Sequence, residues 1–415
     1  MKIFEKINID NIVLTIFILL MASASTITSN DAIVVVFFVV TILFFFYRKQ
    51  KFDKYFFVIL FIWSIINLFS YMVNNTENFK VETLIGVSIR IFFPYFMVKV
   101  IGNRFFDKLV TYIYYLAIIS LVLYPIDAMF KGLYDGFAPI LNFITLDEQK
   151  GRNGWYIYIY MHNAWAFMGI PLRWLYRNSG FMWEPGGYSL MLIFAITYNI
   201  SRNKFKFDQK NIVFTIALIT TFSTSGILAL LLIVMAYTIY IGKRLYLLYL
   251  ILIPIVLIGS WKIYQLDFIS GKINQYYETI DYHNTHFTGI ERVNRFGVMK
   301  YNLEQAFAWP LGNGALESKY LKDKYGVIYR GPNTFAGILY KWGFLGLILF
   351  PFFLYKFYKS LGSNNIILIL FMLAMSMVFF SNPTETKPLY MSIVFYTLLY
   401  NQSTKRRTSL LYYEK

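Results

Sequence analysis

Apolar residues in this chain gather into runs of 17 to 25, broken by short charged segments. That is the length needed to cross about 30 Å of hydrocarbon as a helix rising 1.5 Å per residue. The runs predict spans near 11–29, 31–47, 55–73, 82–100, 109–130, 181–200, 211–222, 224–241, 245–264, 333–356, 362–380 and 385–401. Because 58% of the residues are apolar and only 15% charged, water cannot be the main solvent of such a chain.

The seventh and eighth runs are separated only by a polar string from Thr220 to Gly226, so one long helix competes with two short ones. Charge decides between them, since basic residues collect in short cytoplasmic loops. With two crossings, every second loop is basic: Arg48, Lys49, Lys51 and Lys54; Lys99, Arg104 and Lys108; Arg202, Lys204, Lys206 and Lys210; Lys243 and Arg244; Lys356 and Lys359; Lys405, Arg406 and Arg407. One crossing would put the two halves of this series on opposite sides. The expectation is therefore an all-α polytopic membrane protein, residues 1–415 forming one integral membrane domain of about twelve spans with both ends cytoplasmic. Two long segments, 131–180 and 265–332, then lie outside, where function is expected.

The first run follows Lys2 and Lys6 like a signal peptide, but a second run comes at once and no convincing cleavage site intervenes, so it reads as a retained helix. There is no cysteine, which excludes disulfides, thiolate metal sites and cysteine nucleophiles. The net charge of +17 is mostly a product of the cytoplasmic loops rather than a sign of nucleic-acid binding. Outside, however, the loops also carry Lys131, Lys150, Arg152, Arg173 and Arg177, and then Lys272, Arg292, Arg295, Lys300, Lys319, Lys322, Lys324 and Arg330. A basic outer surface against a bilayer suits headgroups of membrane lipids or a lipid diphosphate. Arg90 falls near the middle of the fourth span, where a cation costs about 2.5 to 3.5 kcal/mol to insert. With no obvious carboxylate of its own it is a candidate anion ligand, and Pro94 one turn later predicts a kink.

Glu184 opens the sixth span just ahead of Pro185. A carboxylate there suits the positive end of a helix, and Pro suits its first turn. It is also placed, with Arg173 and Arg177 nearby in sequence, to act as a general base. The run from Trp155 to Trp165 reads either as an interfacial aromatic belt or as a sugar-stacking surface. Val293, Phe296, Met299, Leu303 and Phe307 fall on one stripe, predicting an amphipathic helix over 291–309 with Arg292 and Arg295 in its first turn. His162, His283 and His286 have no carboxylate at ligand spacing and read as incidental; no metal site is expected.

Taken together, four pieces resemble the O-antigen polymerase and O-antigen ligase superfamily of bacterial surface-polysaccharide assembly. They are Arg177, Ser179 and Gly180 followed by Glu184 and Pro185; Thr220 to Gly226 leading into an apolar helix; Arg295 followed by Trp309, Pro310, Gly312 and Gly314; and Asn333 followed by Gly343, Phe344, Leu345 and Gly346. Order and topology agree over most of the chain.

The resemblance implies a GT-C-like membrane glycosyltransferase that needs neither metal nor cofactor. It would work on the outer face of the bacterial cytoplasmic (inner) membrane, use an undecaprenyl-diphosphate-linked oligosaccharide as donor, and possess a chain-length regulator as partner. It implies that outer-loop arginines hold the diphosphate; joined to the residue reading above, this places catalysis at Glu184 and Arg295 and binding of diphosphate and glycan at Arg90, Arg173, Arg177 and Arg292. Arginine can stabilise a departing diphosphate without a metal. Ligases of the superfamily carry a histidine where this chain has Pro332, which favours a polymerase. A ligase, a flippase or other transporter, and a membrane acyltransferase are the rival classes. A transporter predicts internal repeats, and an acyltransferase a histidine in a helix or its mouth; neither is found in the sequence.

Overall fold

The computed structural model describes residues 8–22, 30–74, 80–129, 141, 144–145, 155–162, 177–241, 299, 302–304, 306–307, 309–316, 333–362 and 364–413. Those residues form α1 (Ile9–Ala22), α2 (Asp31–Tyr47), α3 (Lys54–Asn74), α4 (Val81–Ile101), α5 (Phe105–Met129), α6 (Pro185–Arg202), α7 (Gln209–Thr220), α8 (Thr224–Ile241), α9 (Thr334–Ser360), α10 (Asn365–Phe380) and α11 (Pro388–Tyr413). A two-stranded antiparallel hairpin, β1 (Trp155–Ile157) and β2 (Tyr160–His162), pairs Trp155 with His162. The span expected at 245–264 lies outside the described residues.

Four stretches are long and apolar enough to cross a membrane: Lys54–Val73, Val81–Met129, Thr224–Ile241 and Thr334–Ser360. The second contains both α4 and α5, parted by a 3-10 turn at Gly102–Arg104. Shorter apolar helices accompany them at Ile9–Ala22, Asp31–Tyr47, Asn365–Phe380 and Pro388–Tyr400. This is an all-α architecture of the membrane-protein type. Its outer helices turn Leu43, Phe46, Phe61 and Met72 outward, as apolar surroundings permit.

The polar string at 220–226 ends one helix and starts another. Phe222 takes a left-handed φ of 46°, and the chain doubles back. At one end of this turn-back Phe205, just after α6, stacks on Tyr240 of α8 with centroids 4.4 Å apart. At the other, Ser189 of α6 reaches the hydroxyl of Ser223 at 3.2 Å, and Gly226 presses its bare backbone against Ser189. α6, α7 and α8 therefore run as an antiparallel zigzag. Nearly every residue of α6 is buried, the condition of a helix enclosed by its neighbours, here α5, α7, α8 and α10.

The zigzag defines two ends of the bundle. At the end that carries the basic loops, Asp10 is gripped by both Arg48 and Lys108. Lys99 meets Asp53 at 2.7 Å, and Arg202 and Tyr198 converge on Asp107 at 3.3 and 2.9 Å. The other end holds the heads of α6, α8, α9 and α11 together with the tails of α1, α7 and α10.

α9 is not continuous. Gly343 has φ 61° and ψ −153°, a conformation favourable only to glycine, and it breaks the helix in two. The segment Trp309–Leu316 fills the break. Asn313 and Gly314 donate backbone N–H bonds to the carbonyls of Tyr340 and Lys341 at 2.7 and 3.0 Å, and Phe344 donates to Pro310 at 2.9 Å. From the far side Ser70 of α3 donates to the Asn313 carbonyl at 3.0 Å and Asn67 accepts from Ala315 at 2.8 Å. Gly343 lies nine residues into α9, about 14 Å along a helix, so the segment docks well inside the helical bundle, with backbone groups bonded to protein.

Candidate functional site

Glu184 stands at the N-cap position of α6 in extended conformation, with Pro185 in the first turn, yet its side chain makes no capping hydrogen bond. Its carboxylate is left for other work. Two glycines build its surroundings. A side chain at Gly187 would strike the ring of Trp183, and one at Gly186 would come within 2.9 Å of the Asn382 amide oxygen and 3.5 Å of a Glu184 oxygen. The bare backbone of Gly186–Gly187 thus seats Trp183 on one side and Asn382 on the other.

Arg177 sits behind this carboxylate, its Nε donating to the Thr221 carbonyl at 3.0 Å. Burial lowers its pKa from the ordinary value, while the charge of Glu184 acts to raise it. Asn178 ties the same segment to α7 through its backbone and its amide, both bonded to Thr220 at 3.0 and 2.9 Å. Gly180, at φ +51°, lies where any side chain would collide with the Tyr188 ring.

The remaining wall comes from the connection Ser381–Lys387 between α10 and α11. Thr334, at the head of α9, bonds the Asn382 carbonyl and lies 2.7 Å from the Thr384 hydroxyl. Glu385 packs against the bare face of Gly337, one oxygen 3.7 Å from Lys341 Nζ and the other buried with no hydrogen-bond partner among the described residues. Lys387 lays its ammonium over the Trp183 ring, 2.8 Å from the centroid, and donates to the Met21 carbonyl at 3.2 Å. Burial pushes the Lys387 pKa well below 10.5, against the pull of Glu184 and Glu385, which act to raise it. The cluster is Glu184, Glu385, Arg177, Lys341 and Lys387, gathered from α6, α9 and two connections.

Several expectations are met by different partners. Arg90 is not without a carboxylate: its Nη2 lies 2.7 Å from Asp31, at the head of α2. The long side chain reaches along the bundle toward the end of a neighbouring helix, a pairing invisible in the sequence of α4. His162 is not incidental. It is buried beside α5 with Nδ1 2.9 Å from Asp127, which also accepts from Tyr160 at 2.8 Å. The described part of the aromatic run, 155–162, is therefore folded as a hairpin, with Tyr156 and Tyr160 buried and Tyr158 at the exposed turn. Of the helix expected at 291–309, Met299, Asn302–Glu304, Ala306 and Phe307 are helical. Buried Asn302 donates to the Ala336 carbonyl, whereas Phe307 of the apolar stripe is 73% exposed. Phe307 still meets the ring of Phe344 in α9, centroids 5.2 Å apart, and Val293 and Phe296 of the stripe lie outside the described residues.

Arg173, Arg292 and Arg295 lie outside the described residues, as do His283 and His286. Lys341, Asn382, Glu385 and Lys387 escaped the sequence reading. The span drawn at 385–401 placed Glu385 and Lys387 inside a helix that begins only at Pro388. The signal was two ionisable residues and two prolines packed into Asn382–Pro388. Compared with known proteins, the chain matches no family model, no curated protein and no solved structure.

Proposed function

We propose that this chain is a polysaccharide polymerase, of the O-antigen or capsule type, with twelve spans, both termini in the cytoplasm and the Glu184 cluster at the outer face of the cytoplasmic membrane. The single observation that carries the reading is the state of Glu184: a carboxylate at the head of a buried helix, free of capping duty, near the half-buried cations Arg177 and Lys387. In the reaction, an acceptor sugar hydroxyl attacks the anomeric carbon of a glycan carried on undecaprenyl diphosphate. The new C–O bond forms as the bond to the diphosphate breaks, the electron pair leaves with the diphosphate, and the hydroxyl proton passes to Glu184. Arg295, Arg292, Arg173 and Arg177 are the proposed ligands of the departing charge. Arg90 is left out of this set because Asp31 already neutralises it.

The test is to incubate the purified protein, in liposomes, with lipid-linked repeat units extracted from cells that lack it. A ladder of polymer lengths is expected from the wild type and none from Glu184→Gln. One observation favours a second reading: α9 is broken at Gly343 and filled by the Trp309–Leu316 segment, and broken helices are common in transporters. Movement of the lipid-linked unit across the bilayer with no bond formed would select that reading.

A further inference from the structure

The polar string between α7 and α8 does more than turn the chain: it receives the segment that carries Arg177. The last carbonyls of a helix have no partner within it, and the left-handed Phe222, φ 46°, keeps α7 from running on past Thr221. The carbonyls left over are taken by the neighbouring segment. Asn178 N–H donates to the Thr220 carbonyl and Arg177 Nε to the Thr221 carbonyl, each at 3.0 Å. Asn178 is fully buried and its amide is bonded at both ends, Nδ2 donating to the Thr220 hydroxyl at 2.9 Å and Oδ1 accepting from the Gly180 N–H at 2.8 Å. The Thr220 hydroxyl is itself fixed, donating to the Ala217 carbonyl at 2.7 Å. Two adjacent residues of one segment are thus locked, by backbone and side chain, onto two adjacent residues of one turn.

Arg177 is half-buried, and among the described residues the bond to Thr221 is the only hydrogen bond its guanidinium makes. Arg48 and Arg202, by contrast, are set against the carboxylates of Asp10 and Asp107. A guanidinium is planar and rigid. Fixing its Nε on a carbonyl therefore leaves the far end, Nη1 and Nη2, as a fork of donors shaped for two oxygens of one phosphoryl group. We infer that Asn178 and Thr220 are positioning residues for Arg177, holding its backbone and Nε in register with the α7–α8 turn so that the Nη1–Nη2 end receives a phosphoryl group of the lipid diphosphate. The inference rests on the reading of Arg177 as a ligand of that diphosphate and names the groups that aim it. Without the Asn178 amide two of the bonds that hold the segment are gone, and ordering of the guanidinium falls to the binding step.

The experiment measures affinity for undecaprenyl diphosphate in phosphatidylcholine vesicles, where the added lipid is the sole anionic lipid. Equal amounts of folded wild type, Arg177→Ala, Asn178→Ala and the double variant are compared. Arg177→Ala is expected to weaken binding about tenfold or more. Asn178→Ala is expected to weaken it about fivefold, as ordering one long side chain requires. In the double variant the loss at 178 disappears and the affinity is that of Arg177→Ala, since residues that act through one another are not additive. Thr220→Val removes the hydroxyl that receives Asn178 and keeps the shape, so it repeats the loss of Asn178→Ala, while Thr220→Ser restores wild-type affinity. Should Asn178→Ala fail to fold, this pair, combined with Arg177→Ala in the same way, carries the test. A loss from Asn178→Ala that persists undiminished in the Arg177→Ala background overturns the inference, as does no loss from Asn178→Ala when Arg177→Ala binds weakly. Undiminished affinity in Arg177→Ala instead overturns the reading of Arg177 as a ligand, and the inference with it.

Discussion

The two ends of the helix bundle both set carboxylates near cations, and they do so in different ways. At the basic-loop end each acid is closed off: Asp10 by Arg48 and Lys108, Asp53 by Lys99 and the Tyr95 hydroxyl, Asp107 by Arg202 and Tyr198. At the loop-bearing end Asp127 and Asp31 are held by His162, Tyr160 and Arg90, but two acids stay open: Glu184 caps nothing, and Glu385 stands 3.7 Å from Lys341 with one oxygen lacking a hydrogen-bond partner among the described residues. A closed pair fixes helices against each other. An open one keeps a lone pair and a charge available, at a cost in stability that neighbouring packing must offset.

The largest expected effect tests whether packing holds the open end together. In Gly343→Ala the new methyl would fall inside van der Waals contact of the Pro310 carbonyl, at a φ of 61° that alanine disfavours. The Trp309–Leu316 segment cannot dock, and a loss of roughly 3 kcal/mol or more is expected, read as a collapse of folded protein in detergent by thermal denaturation.

Next comes the direct contrast of the two ends. Asp10→Ala strands two cations and should destabilise by about 2 to 3 kcal/mol; this is below the cost of breaking a fully buried pair, since both cations reach solvent. Its activity per folded molecule should stay within twofold of wild type. Glu385→Gln should do the reverse, holding stability within about 1 kcal/mol while lowering turnover about tenfold. If both variants lose stability and activity in the same ratio, the two ends do not differ in kind.

A smaller effect is expected at Arg90. Its partner Asp31 is 81% exposed, so Arg90→Ala should cost under about 1 kcal/mol and keep most of its activity, matching Asp31→Ala. A loss of polymer confined to the arginine variant would return Arg90 to the site.

The smallest is a pH slope. The Lys387 ammonium is penalised in the folded chain, so between its depressed value and 10.5 the unfolded chain binds more protons and stability rises with pH. This stabilisation is complete above 10.5 and lost as pH falls through the folded value. Melting temperature should therefore climb with pH between the depressed Lys387 value and 10.5, and the climb should vanish in Lys387→Met.

The frame of the molecule was legible because its causes are local. Run length gives the helices, and the alternating basic loops called for two elements rather than one at 211–241, where α7 and α8 fold back on each other with Phe205 stacked on Tyr240. Glu184 was legible for the same reason, standing next to Pro185 at the head of an apolar run. The pairings were not. Arg90 with Asp31, Asp127 with His162, and Lys387 with Trp183 join residues 59, 35 and more than 200 positions apart, and neither hydropathy nor spacing carries that information. The break in α9 was half legible, since the glycines at 312, 314 and 343 stood out while their mutual contact did not.

The central claim, that chemistry belongs to the open end and scaffolding to the closed one, meets its most direct test in a single assay. Wild type, Glu184→Gln and Asp10→Ala are reconstituted at equal amounts of folded protein and given the same extracted lipid-linked repeat units. The account predicts a polymer ladder from wild type and Asp10→Ala, and at least a hundredfold less product from Glu184→Gln, as removal of a general base requires. A full ladder from Glu184→Gln would contradict it.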